Sequence, residues 1–352
     1  MNEVARIGGE ARIIKDGDFL FIPTAPVRGF EKMVEGKSPI FVIEAVMRIC
    51  GICHAAHAIA ACEAFEHAFG IYPPRNGLLM REAIGLLNRI QSHLLHNIMI
   101  LPDLTKNMDD ALNLTLETLE RINKIIADLA GAPTHPNKLV IGGIAKDINE
   151  KILDRNIEWL KEAEKIFNEL REMEINWLKK GEETQQKYMA THLFYGDRYA
   201  IDLDKIKIQP YEKSSAMIAM YGNDFVEVGP RARLKIYRNF SFGGIYGLQM
   251  ARIEEIKLAF LRIKEIFGEI DVEEPLRTEG FFFRKGKGIG VYEAPRGTLI
   301  HKVVVNEEGR VEKYKIIVPT MFNIPLMNKT GNELGVRMYD PCIPCATHEM
   351  IK

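Results

Sequence analysis

Four cysteines carry the chemistry that this sequence offers. Cys50 and Cys53 form one C-x-x-C pair in RICGICHAAH, followed by His57. Cys342 and Cys345 form a second in YDPCIPCATH, followed by His348. Thiolates are soft ligands, and two such pairs offer four of them to one metal. Zinc, nickel, iron and copper all accept sulfur, so spacing alone leaves the metal open. A structural zinc site is the plain alternative. Zinc ribbons separate their pairs by roughly 15–20 residues. Here almost the whole chain lies between the pairs, so the fold itself must be built around the site. The fifth cysteine, Cys62, falls on a predicted helix and reads as a small buried hydrophobe.

Helices must do most of the positioning. Helical periodicity runs from Glu44 to His67 and stops at Gly70 and Pro73-Pro74. Leu79 to Leu101 is apolar on every face, which predicts a fully buried helix ending before Pro102. Further helices are expected over Asp109–Leu129, Asp147–Lys180 and Met250–Phe267. Gly131 and Pro133 close the first of these three. The second is Glu/Lys-rich and reads as a peripheral amphipathic helix. Alternation around Asp16-Gly17 and around Glu308-Gly309 predicts two hairpins. The string GKGIG lacks phosphate-loop spacing and reads as a hairpin turn. No linker or repeat divides the chain. The expected fold is α+β and mainly helical, one domain over residues 1–352, with a buried helical bundle around the metal site and flanking β-hairpins.

Composition narrows the function. The chain has 352 residues, 47% of them hydrophobic and 27% charged, which excludes disorder. Lys+Arg number 47 and Asp+Glu 48, so there is no basic excess to neutralise nucleic acid. No apolar run approaches the roughly 20 residues of a membrane span. The N-terminus lacks a signal-peptide pattern, and a cytoplasmic, reducing compartment is expected.

The cysteine motifs and their flanks resemble the large, catalytic subunit of nickel–iron hydrogenases. Arg48-Ile49-Cys50-Gly51-Ile52-Cys53 with His57 matches R-x-C-G-x-C-x-x-x-H, and Asp340 to His348 matches D-P-C-x-x-C-x-x-H. RGFEKMVEG from Arg28, RIQSHLLH from Arg89, HPNKLVIGG from His135, EVGPRAR from Glu227 and EAPRGTLIH from Glu293 resemble further family segments in the same order. Gln91-Ser92-His93 and the Ala346-Thr347-His348 ending look most like the soluble, cofactor-coupled group, deazaflavin-reducing or non-reducing and archaeal.

The resemblance implies a nickel–iron centre whose iron carries cyanide and carbon monoxide. Cys50 and Cys342 would be terminal nickel ligands, and Cys53 and Cys345 would bridge nickel to iron. His57 and Pro295 complete the implied cofactor-binding set. Dihydrogen would split heterolytically, with Cys342 or Arg296 as the base. An arginine is normally protonated throughout, so an electrostatic role for Arg296 is at least as plausible. Asp340 would hold its guanidinium in a charge-assisted pair. Ser92 stands where some members place an aspartate. Ser92, His93 and His96 otherwise read as packing or hydrogen-bonding residues of a buried helix. A magnesium ion is implied at Glu31 and His348.

Three departures follow. The family's R-x-E-G-H-x-R motif appears as Arg6-Ile7-Gly8-Gly9-Glu10-Ala11-Arg12, with Gly8 at the proton-relay glutamate and Glu10 at the histidine. Only Glu349-Met350-Ile351-Lys352 follows His348, as a remnant of a cleaved extension, a tail that needs no cleavage, or an immature form. The chain is also short for the family, so peripheral loops are expected to be missing.

Electrons need a way out, and Cys62 alone cannot hold a cluster that needs about four cysteines. The resemblance therefore implies an iron–sulfur small subunit facing Arg48 and the first motif. A further cofactor-reducing or heterodisulfide reductase subunit is a second candidate partner. A hydrogenase-like subunit with impaired dihydrogen chemistry, acting in electron transfer or assembly, is the competing reading. If Glu10 or an ordered water replaces the missing relay, or turnover is slow, Gly8→Glu changes the rate and pH profile of dihydrogen uptake. An unchanged rate and profile would count against the idea.

Overall fold

A computed structural model describes residues 2–6, 9–16, 18–183, 185–211 and 214–348, with side chains at Ile13 and from Phe19 onward within those ranges. The chain opens as an antiparallel meander of β1 (Asn2–Arg6), β2 (Gly9–Asp16) and β3 (Asp18–Thr24). Asp16 pairs with Asp18, as the predicted hairpin requires. Next come α1 (Phe30–Met33) and α2 (Pro39–Met47). Ser38 caps α2 by accepting from Phe41 N at 3.3 Å, and Pro39 opens the helix.

The helix expected from Glu44 to His67 is two helices. The second, α3 (His54–Phe69), begins only after the Cys50–Cys53 loop. Tertiary partners replace helical bonds in that loop. Arg28 donates to Ile49 O at 2.6 Å, and Asn88 donates to Ile52 O at 2.7 Å. Periodicity cannot register an interruption so short.

The buried spine is α4 (Arg75–Leu104), which runs through Pro102 rather than stopping before it. A proline in the last turn sacrifices one hydrogen bond near an end that frays anyway. Leu79, Met80, Ile84, Leu87, Ile90 and Leu94 bury the apolar face. Arg81, Asn88, Arg89, Gln91, Ser92, His93, His96 and Asn97 are buried too. The helix therefore also carries an interior row of polar groups.

Helix α5 (Asp109–Ala130) ends at Gly131, whose φ of 92° is the left-handed cap that glycine adopts readily. A small hairpin, β4 (Leu139–Val140) and β5 (Gly143–Ile144), precedes α6 (Glu150–Ile175). The amphipathic expectation holds for α6, which buries Leu153, Leu160, Ala163, Phe167 and Leu170. A second hairpin, β6 (Ile206–Pro210) and β7 (Met217–Tyr221), leads to α7 (Pro230–Arg238) and α8 (Gly247–Glu269).

The last sheet is β8 (Gly286–Ala294), β9 (Gly297–Val305) and β10 (Val311–Ile317), with β9 in the middle. Its β9–β10 turn falls at the expected Glu308-Gly309. Three short helices close the chain: α9 (Pro319–Asn328), α10 (Glu333–Tyr339) and α11 (Ile343–Ala346). The α+β expectation, helices in the core and hairpins at the flank, is met.

GKGIG is a strand, not a turn. A Cβ at Gly286, Gly288 or Gly290 would stand 2.1, 1.9 or 1.9 Å from the carbonyl oxygens of Ala68, Ala64 and Ala60. Two strand residues advance about 6.7 Å and four helical residues about 6 Å. Every second glycine of β8 thus meets every fourth alanine of α3. This contact lays β8 flat on α3 and carries the strand's end to the first cysteine pair.

Glu174 of α6 is buried against α4 and α8. It accepts from Asn97 Nδ2 at 2.5 Å and from Gln249 Nε2 at 3.3 Å. Burial raises its carboxyl from the ordinary 4.5 to about 7, against those two amides. The folded chain therefore binds this proton more tightly than the unfolded chain. Stability from this group is full below pH 4.5 and is lost as pH rises to about 7. Glu174→Gln removes that slope. Denaturation across roughly pH 5–8 should show the variant gaining on the parent by up to about 3 kcal/mol, then running level.

Candidate metal centre

Two chain segments bring the four thiols together. Cys50 sits in the loop after α2, and Cys53 caps the N-terminus of α3. Cys342 caps α11, and Cys345 lies within it. All four sulfurs are buried and lie within 4.8 Å of one another. Cys342 Sγ is 3.3 Å from Cys50 Sγ and 2.9 Å from Cys345 Sγ, while Cys53 and Cys345 are 3.5 Å apart.

This crowding has an electrostatic consequence. Hydrogen bonding from Cys342 holds the Cys50 thiol well below its ordinary value. Cys53 is pushed well up, chiefly by its contact with Cys342, and Cys345 is pushed up by burial. Four thiolates in so small a dry volume need positive charge among them. The donor set fits soft divalent metals.

Arg28 clamps the two segments. Its Nη2 donates to Ile49 O and to Pro344 O, each at 2.6 Å, so one guanidinium ties the residues preceding Cys50 and Cys345. Phe30 N donates to His348 O at 3.0 Å, and Cys342 N donates to Thr320 Oγ1 at 3.0 Å. His57 Nε2 lies 3.6 Å from Cys345 Sγ, its Nδ1 lies 3.1 Å from His301 Nε2, and His301 Nδ1 lies 2.7 Å from Tyr314 Oη. Burial drives His57 down to about 3 and His301 well below its ordinary range.

Arg296 overhangs the cluster from the β8–β9 turn. Its Nη2 lies 2.9 Å from Asp340 Oδ2, its Nε donates to Asp340 O at 2.8 Å, and its Nη1 donates to Ser92 Oγ at 3.3 Å. Burial is the largest single effect and opposes both charges, yet the neighbours together outweigh it: Asp340 and the cysteine sulfurs for Arg296, and Arg296 and His96 for Asp340. Arg296 is held protonated and Asp340 well below the usual carboxylate range. Asp340 has φ 53°, a left-handed conformation that aspartate tolerates, at the end of α10 and before Pro341. It is thus both a turn residue and the partner of Arg296. His96 Nδ1 lies 3.4 Å from Asp340 Oδ1.

A buried ionic network fixes this turn, and sequence reading did not single it out. Arg233 pairs with Glu293 Oε2 at 3.0 Å and donates to Ala294 O at 2.9 Å and Pro295 O at 3.1 Å. Arg89 donates to Glu293 O at 2.7 Å, and Glu255 joins Arg233 to His93, 3.0 Å from it. Gly229, at φ 113°, has room for no side chain, because a Cβ would stand 2.7 Å from Arg296 O. The available signal was charge on an otherwise apolar helix: Arg89 lies among residues of α4 that had to be buried, whereas Arg233, in the charge-rich PRARLKIYR, gave none.

A small pocket of about 10 Å³ adjoins Cys53, Cys342 and Cys345, lined by His57, Ala294, Arg296, Leu299, Val318, Pro319 and Thr320. Pro295 lies between two of these wall residues and is not one of them. Glu31 and His348 meet, with His348 Nε2 3.1 Å from Glu31 Oε1, and Lys315 Nζ lies 3.3 Å from Glu31 Oε2. Glu10 lies on β2 opposite Ala5 and Thr24, its side chain outside the described set. Gly8 and the tail after His348 also lie outside the described residues.

Residues 28–100 and 253–335 match the nickel-dependent hydrogenase family. The chain is 35% identical to the alpha chain of the coenzyme F420 hydrogenase of Methanocaldococcus jannaschii, over 94% of this chain and 88% of that one. The chain belongs to the nickel-dependent hydrogenase family. It is the large, catalytic subunit of a hydrogenase, an oxidoreductase acting on dihydrogen, and the impaired-subunit reading is not favoured. The alpha chain of the coenzyme F420 hydrogenase of Methanothermobacter thermautotrophicus is 34% identical, over 96% of this chain and 89% of that one. The alpha chain of sulfhydrogenase 1 of Pyrococcus furiosus is 26% identical, over 99% of this chain and 97% of that one. The Ni-Fe-Se hydrogenase from D. vulgaris Hildenborough shares the fold, with a TM-score of 0.81 at 20% identity over 96% of each chain. Among the described residues, no helix is long and apolar enough to cross a membrane.

The Arg28 clamp gives a direct test. Arg28→Gln removes the double contact while leaving every thiol in place. Nickel bound per chain, measured by elemental analysis under limiting metal, should fall about 10–100-fold, the usual cost of losing a support of metal ligands.

Proposed function

We propose that the thiolates of Cys50, Cys53, Cys342 and Cys345 would hold a nickel–iron centre. The observation that carries the reading is four buried sulfurs within 4.8 Å, drawn from opposite ends of the chain. That convergence also favours residues 1–352 acting as one catalytic unit. The lining beside Cys53 and Cys345 has the chemistry that cyanide and carbon monoxide on the iron would need. Leu299 and Val318 offer an apolar wall, and Arg296 and Thr320 offer donors.

When bound, the centre supplies soft, electron-rich metals at which dihydrogen is split into two protons and two electrons. The chain's residues manage charge and protons. Cys342 Sγ takes the first proton. Arg296 keeps its own proton, because Asp340 and the neighbouring sulfurs stabilise the cation. It acts instead as a fixed positive charge over the reacting position. Asp340 and Ser92 orient it, and the network through Arg233 holds its turn. His57 donates toward the Cys345 sulfur. Glu10, the carboxylate that the N-terminal motif retains, is the proposed relay in place of Gly8.

Glu31 and His348 are the proposed holders of a magnesium-like ion. His348 Nδ1 donates to Cys345 O, and Nε2 faces the Glu31 carboxylate. A neutral ring there puts two acceptors in contact, which call for a cation between them; a protonated ring donating to Glu31, or Lys315 beside it, is the competing source of that charge.

Electrons leave to a separate iron–sulfur small subunit, since five cysteines leave none for a cluster in this chain. Arg48 and Gly51, the exposed residues of the first motif, mark the exit face. The relatives at 34–35% identity favour coenzyme F420, a deazaflavin, as acceptor, reduced on a further cofactor-reducing subunit. A heterodisulfide reductase subunit is the alternative. Five free thiols fit the cytoplasm.

Elemental analysis and infrared spectroscopy of the purified complex test the centre. One nickel per large subunit, iron in excess of nickel because the clusters of the small subunit add to it, and cyanide and carbon monoxide bands are expected; zinc without bands overturns the reading. Arg296→Lys keeps the charge but loses the planar fork that Asp340 and Ser92 hold, so it should keep both metals and lower hydrogen–deuterium exchange about 10²–10³-fold, as loss of one preorganised donor at a reacting centre does.

A further inference from the structure

We propose that Tyr314 is a positioning residue for the metal centre: acting through His301 and His57, it fixes a hydrogen bond to the Cys345 sulfur. The inference rests on the reading that Cys345 is a metal ligand. The observation is an unbroken buried chain of four groups. Tyr314 of β10, His301 of β9, His57 of α3 and Cys345 of α11 are linked by separations of 2.7, 3.1 and 3.6 Å. Each of the four residues is buried.

The direction of the chain follows from what each group can do. A metal-bound thiolate has no proton to give, so His57 Nε2 must donate to it. A neutral imidazole has one N–H. Among the described residues, no carboxylate touches either ring, and both buried imidazoles are neutral. His57 Nδ1 is then an acceptor, and His301 Nε2 must donate to it. That leaves His301 Nδ1 an acceptor, and the hydroxyl of Tyr314 is the donor that meets it. All three bonds point toward sulfur. Bonds in such a series polarise one another, so the hydroxyl strengthens the contact made two imidazoles away. Tyr314 touches neither the sulfurs nor the pocket beside them.

Phenylalanine at this position keeps the ring that packs against Phe65, at 6.2 Å between centroids, and removes only the donor. His301 Nδ1 is then left unsatisfied, the bond from His57 to sulfur weakens, and the sulfur gives more electron density to iron. The test is the infrared spectrum of the purified, metal-loaded complex carrying Tyr314→Phe. The carbon monoxide and cyanide bands are expected at lower wavenumber than in the parent, with nickel and iron content unchanged. Unmoved bands at full metal content overturn the proposal alone. A parent complex without such bands overturns the metal-centre reading and this proposal with it. Should Tyr314→Phe not assemble, His301→Gln and His301→Leu are compared. Glutamine keeps a donor toward His57 and an acceptor toward Tyr314, so it should hold the parent bands while leucine shifts them; equal spectra overturn the proposal.

Discussion

Four sulfur atoms crowded into a dry interior repel one another once they ionise, and the rest of the chain is arranged around that fact. Burial by itself would keep the thiols protonated and useless as ligands. The fold answers with positive charge placed at fixed points. Arg296 stands over the cluster with Asp340 balancing it, so the guanidinium neither leaves nor loses its proton. Arg28 closes the site by tying both cysteine segments through backbone oxygens rather than through their sulfurs. The sulfurs stay available to a metal because the clamp does not use them.

Holding Arg296 in place is itself costly, because a buried cation needs a framework that cannot relax. That framework is the polar row inside α4 and its partners on α7, α8 and the end of β8. Arg233 joins Glu255 to Glu293, and both Arg89 and Arg233 bond to backbone carbonyls of the turn. Buried charges that are fully paired are rigid, and half-paired ones are destabilising. The same helix can therefore be a hydrophobic spine on one face and an ionic anchor on another. The glycine–alanine contact between β8 and α3 completes the placement, since it sets how close the turn comes to Cys53 and His57.

The hydrogen-bonded series behind Cys345 extends the same principle outward. Thiolate character is set by the sulfur's own contacts and by what orients those contacts. In this chain the orienting groups come from a sheet that shares no sequence neighbourhood with the cysteines.

Much of this was legible in the residues. The two cysteine pairs, with Arg48, His57, Asp340 and His348 at their fixed spacings, named the site, because ligand chemistry depends on side-chain type and on short local spacing. Long helices and the hairpin at Glu308-Gly309 were legible because periodicity and turn residues act locally. The interruption of the Glu44–His67 helix was not, since the groups that take the loop's carbonyls, Arg28 and Asn88, lie outside that stretch of sequence. GKGIG read as a turn because a glycine-rich string carries no sign of the helix packed on it. Nor could local pattern show that Arg89, Arg233, Glu255 and Glu293 meet, as their charges are tolerable only when all are present together. The sequence by itself determined which atoms could bind a metal. Tertiary structure alone decided that four of them meet, and which buried charges keep them there, because both depend on contacts between segments far apart in the chain.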